Sequence, residues 1–149
     1  MMSKIIINKF QGYYRFLSNF WGCIVLYEGI LYPSVEHAYQ AAKSTDRPIR
    51  KQFVDDIMSP GQAKRKGNFI KLREDWEQKK VSIMEELVKD KFTRNEDLKI
   101  KLLNTGTAEL QEGNYWGDTF WGIDLTTGKG ENHLGKILMK VRENLSEKK

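Results

Sequence analysis

Apolar positions recur along the chain in two rhythms. Near the start, Ile5-Ile6-Ile7 and Ile24-Val25-Leu26-Tyr27 are short β-branched and aromatic runs, and Glu28-Gly29 separates the second from Ile30-Leu31-Tyr32, which predicts strands and one hairpin. The stretch from Tyr13 to Trp21 is aromatic without a clean period and reads as a loop packed across the sheet, with Ser18-Asn19 suited to a tight turn. From Ser34 the rhythm becomes helical. Ser34 suits the N-cap of a helix from Val35 to about Ser44, and Ile49, Phe53 and Ile57 at i, i+4 and i+8 predict another over Arg47 to Met58. Ser59, with Pro60 at the first helical position, starts a short helix ending near Gly67. Trp76, Ile83, Met84, Leu87 and Val88 define one face of the longest helix, Glu74 to Lys91. Asn95 caps a further one ending at Asn104-Thr105-Gly106. Ala108 to Gly130 is glycine-rich and reads as a long, functional loop around one or two short strands. Leu134, Ile137, Leu138, Val141 and Leu145 predict a closing helix from Glu131 to Leu145, followed by a fraying tail, Ser146 to Lys149.

Composition narrows the class. A chain of 149 residues suits one compact domain, and 40% hydrophobic with 30% charged residues suits a globular protein rather than a disordered one. No apolar run approaches the roughly 20 residues that cross a bilayer, and the start is too short for a signal peptide, so a cytoplasmic protein without membrane contact is expected. Cys23 is the one cysteine, which excludes an intramolecular disulfide and a multi-cysteine zinc site and reads as a buried thiol. The net charge is +5, and the segment Lys43 to Lys80, with 11 basic against 6 acidic residues, carries an excess of the same size. Such a region suits a phosphate-bearing partner, although solvated lysines on helix faces give the same count.

Three stretches carry chemistry. On the helix from Val35, Glu36, Gln40 and Lys43 share a face, so that a carboxylate, an amide and an amine converge, with Ala38, Ala41 and Ala42 allowing close packing beside them. A half-buried lysine loses part of its preference for charge and becomes a better nucleophile. Glu112 to Gly122 interleaves Glu112 and Asp118 with aromatic residues and glycines, as a sugar or base site would, although core packing is the plainer reading of Trp116, Phe120 and Trp121. Thr126 to Gly135 is a glycine-rich approach to a helix N-terminus, where free amides can hold a phosphate, but its spacing is neither a P-loop nor a dinucleotide fingerprint. His37 and His133 read as hydrogen-bonding residues, and two histidines so far apart make no metal site.

Taken in order, these motifs resemble the NADAR, or YbiA-like, family of N-glycosidases. The match runs through Phe16-Leu17-Ser18-Asn19-Phe20, Ser34-x-Glu36-His37-x-x-Gln40-x-x-Lys43, Ser59-Pro60, Gly67 and Trp76. It continues through Lys91-Phe92, Leu103-x-Thr105-Gly106, Glu112, Asp118-x-x-Trp121-Gly122 and Gly130-x-Asn132-x-Leu134-Gly135 to Arg142. The resemblance implies a single α+β domain, mostly helical with a small antiparallel sheet. It implies an enzyme without a cofactor that cleaves a ribose C1′–N bond, in a phosphoribosylamino-pyrimidine of riboflavin synthesis or in ADP-ribosylated guanine, free or in nucleic acid. Catalytic roles then fall to Lys43, through a Schiff base, and to Glu36 and Asp118. Substrate contacts fall to Asn19, Phe20, Gln40, Trp76, Glu112, Trp121, Gly130, Asn132 and Gly135. One departure is His133, which stands where many relatives carry arginine.

On this reading the ribose C1′ sits near Glu36, Lys43 and Asp118, Trp76 stacks on the base, and the Gly128 to Gly135 stretch takes phosphates. Two other classes compete. A binding module would recognise ADP-ribose or a nucleotide without cleaving it, yet it has no use for a converging acid and amine. A nucleic-acid-binding domain built on Lys64-Arg65-Lys66 predicts strongly salt-dependent affinity for plain DNA.

Overall fold

The computed structural model describes residues 4–147, so the expected tail is seen only as far as Glu147, and Lys148 and Lys149 lie outside the described residues. In chain order the elements are β1 (Ile6–Ile7), a 3-10 helix (Gly12–Leu17), β2 (Val25–Tyr27), β3 (Ile30–Tyr32), α1 (Val35–Ala41), α2 (Arg47–Lys51), α3 (Pro60–Gly67), α4 (Trp76–Arg94), α5 (Glu96–Leu103), β4 (Glu109–Leu110), β5 (Gly113–Asn114), β6 (Ile123–Asp124) and α6 (His133–Glu147). This is the expected α+β, mostly helical chain. It forms two compact units, one of Asn19–Asn95 and one of Met1–Ser18 with Glu96–Lys149.

The unit of Asn19–Asn95 is built on the predicted hairpin. β2 and β3 pair antiparallel, Val25 opposite Tyr32 and Tyr27 opposite Ile30. Glu28 and Gly29 both have positive φ, 44° and 84°, the geometry of a two-residue turn whose twist matches that of the strands. Val25, Tyr27 and Tyr32 are buried, and α4 packs on β2 and α1, with α1 in turn against α3. Ile83, Met84, Leu87 and Val88 are all buried, as the period of α4 requires. Ser59 and Gln62 close a capping box at the start of α3.

The predicted helix from Arg47 to Met58 is cut short at Lys51. Phe53 is buried but Ile57 is 86% exposed, so the apparent stripe is not one face. Past Lys51 the amides of Gln52, Phe53 and Val54 turn to carbonyls three residues back, and beyond them Asp55 Oδ1 accepts from the Ile57 amide at 2.9 Å, an Asx turn in place of a further helical bond. Cys23 is half-buried rather than fully enclosed.

In the other unit β1 pairs with β4 and β5 with β6, each parallel and two residues long, where a small antiparallel sheet was expected. Part of the expected aromatic loop is instead the 3-10 helix, with Phe16 buried and Tyr13 exposed. α6 packs on β4 and α5 through the predicted Leu134, Ile137, Leu138, Val141 and Leu145, and buried Arg142 donates to Thr105 Oγ1 at 2.9 Å.

Candidate active site

The first group of functional side chains lies on α1 and just beyond it. Ser34 Oγ accepts from the His37 amide at 3.1 Å, and the Asn19 carbonyl accepts from the Glu36 amide at 3.0 Å, so the first turn is capped by two separate groups. One turn on, Gln40 Nε2 donates to Glu36 Oε2 at 2.6 Å, and both side chains are buried. Lys43 follows directly, its amide donating to the Gln40 carbonyl at 3.2 Å. Its own carbonyl accepts from the Arg73 amide at 2.7 Å, while Arg73 Nη1 donates to the Ala42 carbonyl at 3.4 Å. Arg73, which the sequence reading passed over, thus clamps the backbone beneath Lys43, and a bidentate pair with Asp75 orients its guanidinium.

Electrostatics make Lys43 unusual. It is half-buried, and burial holds its amine below the ordinary lysine value; the Glu36 carboxylate pulls the other way, and the neighbouring Lys64 pushes it further down. Lys64, Arg65 and Lys66 occupy the last turn of α3, where cations complement the helix dipole, so part of the basic run has a local structural reason.

Of the other expected contacts in this unit, Phe20 is exposed and Asn19 Nδ2 reaches Met84 Sδ at 3.5 Å. Trp76 is buried with its ring 5.1 Å from Tyr39, a packed position rather than an open stacking face. His37 is held at both ring nitrogens, Nδ1 by Ser34 Oγ at 2.6 Å and Nε2 by the Met58 carbonyl at 2.7 Å. A carbonyl only accepts, so Nε2 carries the proton and Nδ1 accepts from the hydroxyl. Burial pushes this imidazole below the ordinary histidine value, and it joins α1 to the start of α3.

The second group lies in the other unit, on the loop from Glu112 to Gly122. Asn114, which the sequence reading did not single out, is its hub. Buried Asn114 donates through Nδ2 to Glu112 Oε2 at 3.0 Å and to the Asp118 carbonyl at 2.9 Å, and accepts from the Asp118 amide at 3.0 Å. Asp118 Oδ1 accepts from the amides of Phe120 and Trp121, at 3.1 and 3.0 Å. Trp121 stands edge-on to Phe120 at 4.9 Å, and Phe120 lies 4.4 Å from the His133 ring, while Trp116, expected in the core, is 64% exposed.

The glycine-rich approach to α6 does not form the expected phosphate cradle. The amides of Glu131, Asn132, His133 and Leu134 donate to the carbonyls of Thr119, Gly122, Phe120 and Trp121 respectively, at 2.7 to 3.2 Å. Asn132, at φ 54°, uses Oδ1 on the Glu112 amide and Nδ2 on the Leu110 carbonyl. A Cβ on Gly135 would overlap the Leu110 carbonyl and the Asn132 amide, and one on Gly130 the Gly122 carbonyl. Gly130 and Gly135 therefore sit where loop and helix close on each other, and Asn132 joins the two with its side-chain amide engaged at both ends.

Residues 7–146 match the model of the NADAR domain. The chain is 36% identical to N-glycosidase YbiA of Shigella sonnei, over all of this chain and 94% of that protein. It is 39% identical to a riboflavin biosynthesis protein of Vibrio vulnificus, over 89% of this chain but spanning only 36% of that longer protein. The NMR structure of Escherichia coli YbiA superposes with a TM-score of 0.85, at 34% identity, over 99% of this chain and 89% of that one. With its motifs, its fold and the family model in agreement across nearly its whole length, the chain belongs to the NADAR domain family.

Proposed function

We propose that this chain is an N-glycosidase that hydrolyses a ribose C1′–N bond in a nucleotide-like substrate, with Lys43 as the covalent nucleophile. Relatives named N-glycosidase and riboflavin biosynthesis protein support the reaction class. The observation that carries the mechanism is Lys43 itself, a half-buried amine with its charge disfavoured, next to the buried Glu36–Gln40 pair.

The base nitrogen takes a proton as its bond to C1′ breaks, and positive charge grows on the sugar. Lys43 Nζ, as the free amine, forms the new bond to C1′ and loses a proton; the ring opens to an imine, and one water adds at C1′ and returns the amine. Glu36 holds that amine and shuttles its proton. Lys64 offers a cation to the substrate phosphate, a role the engaged amides before α6 do not fill. Asp118 keeps the second acidic function that the family resemblance assigns to it.

Borohydride added during turnover should trap a reduced sugar adduct on Lys43, and Lys43→Ala should lose both adduct and base release. Full activity in Lys43→Ala removes the covalent step. Phosphoribosylamino-pyrimidines and ADP-ribosylated guanosine, offered in parallel, assign the substrate by which base is released. Tight binding of ADP-ribose with neither base released is the outcome that favours a binding module.

A further inference from the structure

Among the described residues of the α1 cluster, Gln40 carries a buried side-chain polar atom without a hydrogen bond. Its Nε2 donates to Glu36, whereas its Oε1, equally buried, has no partner among the described residues. The amide is not turned the other way because a carboxylate only accepts, so the nitrogen must face Glu36 and the oxygen must face away. What it faces is Gly67, the last residue of α3. A Cβ built on Gly67 would overlap Gln40 Oε1 and crowd its Cδ, so any side chain there displaces the amide. The φ of Gly67 is not among the positive values, so backbone conformation gives no reason for glycine at this position. Alanine is the better helix former, which leaves the space occupied by Gln40 as the reason.

We propose that Gly67 is a positioning residue for Glu36: by presenting no side chain it leaves the slot in which Gln40 lies, and so keeps the Gln40 amide on the Glu36 carboxylate. Closing the slot frees Glu36 to turn, and with it the acid that faces Lys43. The functional part of this inference rests on the proposed role of Glu36, but its geometric part does not.

The experiment is a double-mutant cycle of Gly67→Ala and Gln40→Ala, read in two ways. The first is the titration of the Glu36 carboxyl carbon by NMR, assigned with Glu36→Gln; the second is kcat/KM for base release. Gly67→Ala should move the Glu36 midpoint upward, because the carboxylate loses a donor, and should lower kcat/KM about tenfold. Gln40→Ala should do the same, and adding Gly67→Ala to it should change neither readout further. Melting temperature gives an independent sign: Gly67→Ala should lower it in the wild-type background and raise it in the Gln40→Ala background, where the slot is empty and only the helix preference for alanine is left. An unmoved Glu36 titration in Gly67→Ala, or an equal effect of Gly67→Ala in both backgrounds, overturns the proposal. A shifted titration with unchanged kcat/KM upholds the positioning and instead removes Glu36 from the reaction. Should Gly67→Ala fail to fold, folding of the double variant upholds the slot and its failure overturns it.

Discussion

Asn114 grips Asp118 at both ends of its backbone, accepting from its amide at 3.0 Å and donating to its carbonyl at 2.9 Å, with Glu112 Oε2 a further acceptor at 3.0 Å. One buried amide thus sets the separation of the two acids on this loop. Asn114→Ala should cost about 2–3 kcal/mol, since buried partners lose their bonds together. Asn114→Asp, which sets a carboxylate oxygen against Glu112 Oε2 and the Asp118 carbonyl, should cost at least as much. Urea denaturation of the three proteins orders them, and a wild-type midpoint in Asn114→Ala contradicts this account.

Lys91 is 1% exposed on α4, and burial pushes its amine down to about 8. Below that pH the folded and unfolded chains are both protonated there, and the penalty of the buried charge is complete. Between about 8 and the ordinary value of 10.5 only the unfolded chain holds the proton, so stability should rise with pH, by about 3 kcal/mol across the window. Lys91→Met should lack that rise, so the stability difference between the two proteins should change between pH 7 and pH 10. Denaturant melts at pH 7 and pH 10 read both effects, and parallel slopes in the two proteins would assign the rise to other groups.

Lys64 and Glu36 act on Lys43 with opposite signs. Lys64→Ala should let Lys43 keep its proton to higher pH, and Glu36→Gln should release it at lower pH. The pH dependence of Lys43 labelling by an amine-selective reagent, followed by mass spectrometry, should therefore shift upward in the first variant and downward in the second. Identical profiles in all three proteins would mean that neither neighbour tunes this amine.

Gly135 lies inside α6, where alanine ordinarily gains about 1 kcal/mol. Here its Cβ would meet the Leu110 carbonyl and the Asn132 amide. Gly135→Ala should thus be destabilising by about 2 kcal/mol net despite the better propensity. Calorimetry gives the sign directly, and a raised melting temperature would show that α6 can move away from Leu110.

Local patterns in the sequence carried much of the fold. The period of Ile83, Met84, Leu87 and Val88, the Ser59-Pro60 start of α3 and the Glu28-Gly29 turn each act over a few residues, and each is found where it was expected. The helix predicted beyond Lys51 failed because a spacing of four places Ile57 on a face only if the backbone stays helical, and it has already left that path at Gln52 to Val54, whose amides bond three residues back. The Glu36, Gln40 and Lys43 stripe was legible for the same reason of short range. The arrangement around it was not: Arg73 beneath Lys43 and Gly67 beside Gln40 come from distant stretches, and a glycine carries no pattern of its own. The parallel pairing of β1 with β4 was equally hidden, since two-residue strands have too few positions to alternate.

The four amides leading into α6 already answer to carbonyls of the preceding loop. An anion seeking them has to prise that seam apart, so the approach to α6 offers no ready-made charge trap. Carbonyls and amides of the main chain make the joint, so exposed side chains along it can be exchanged without undoing it.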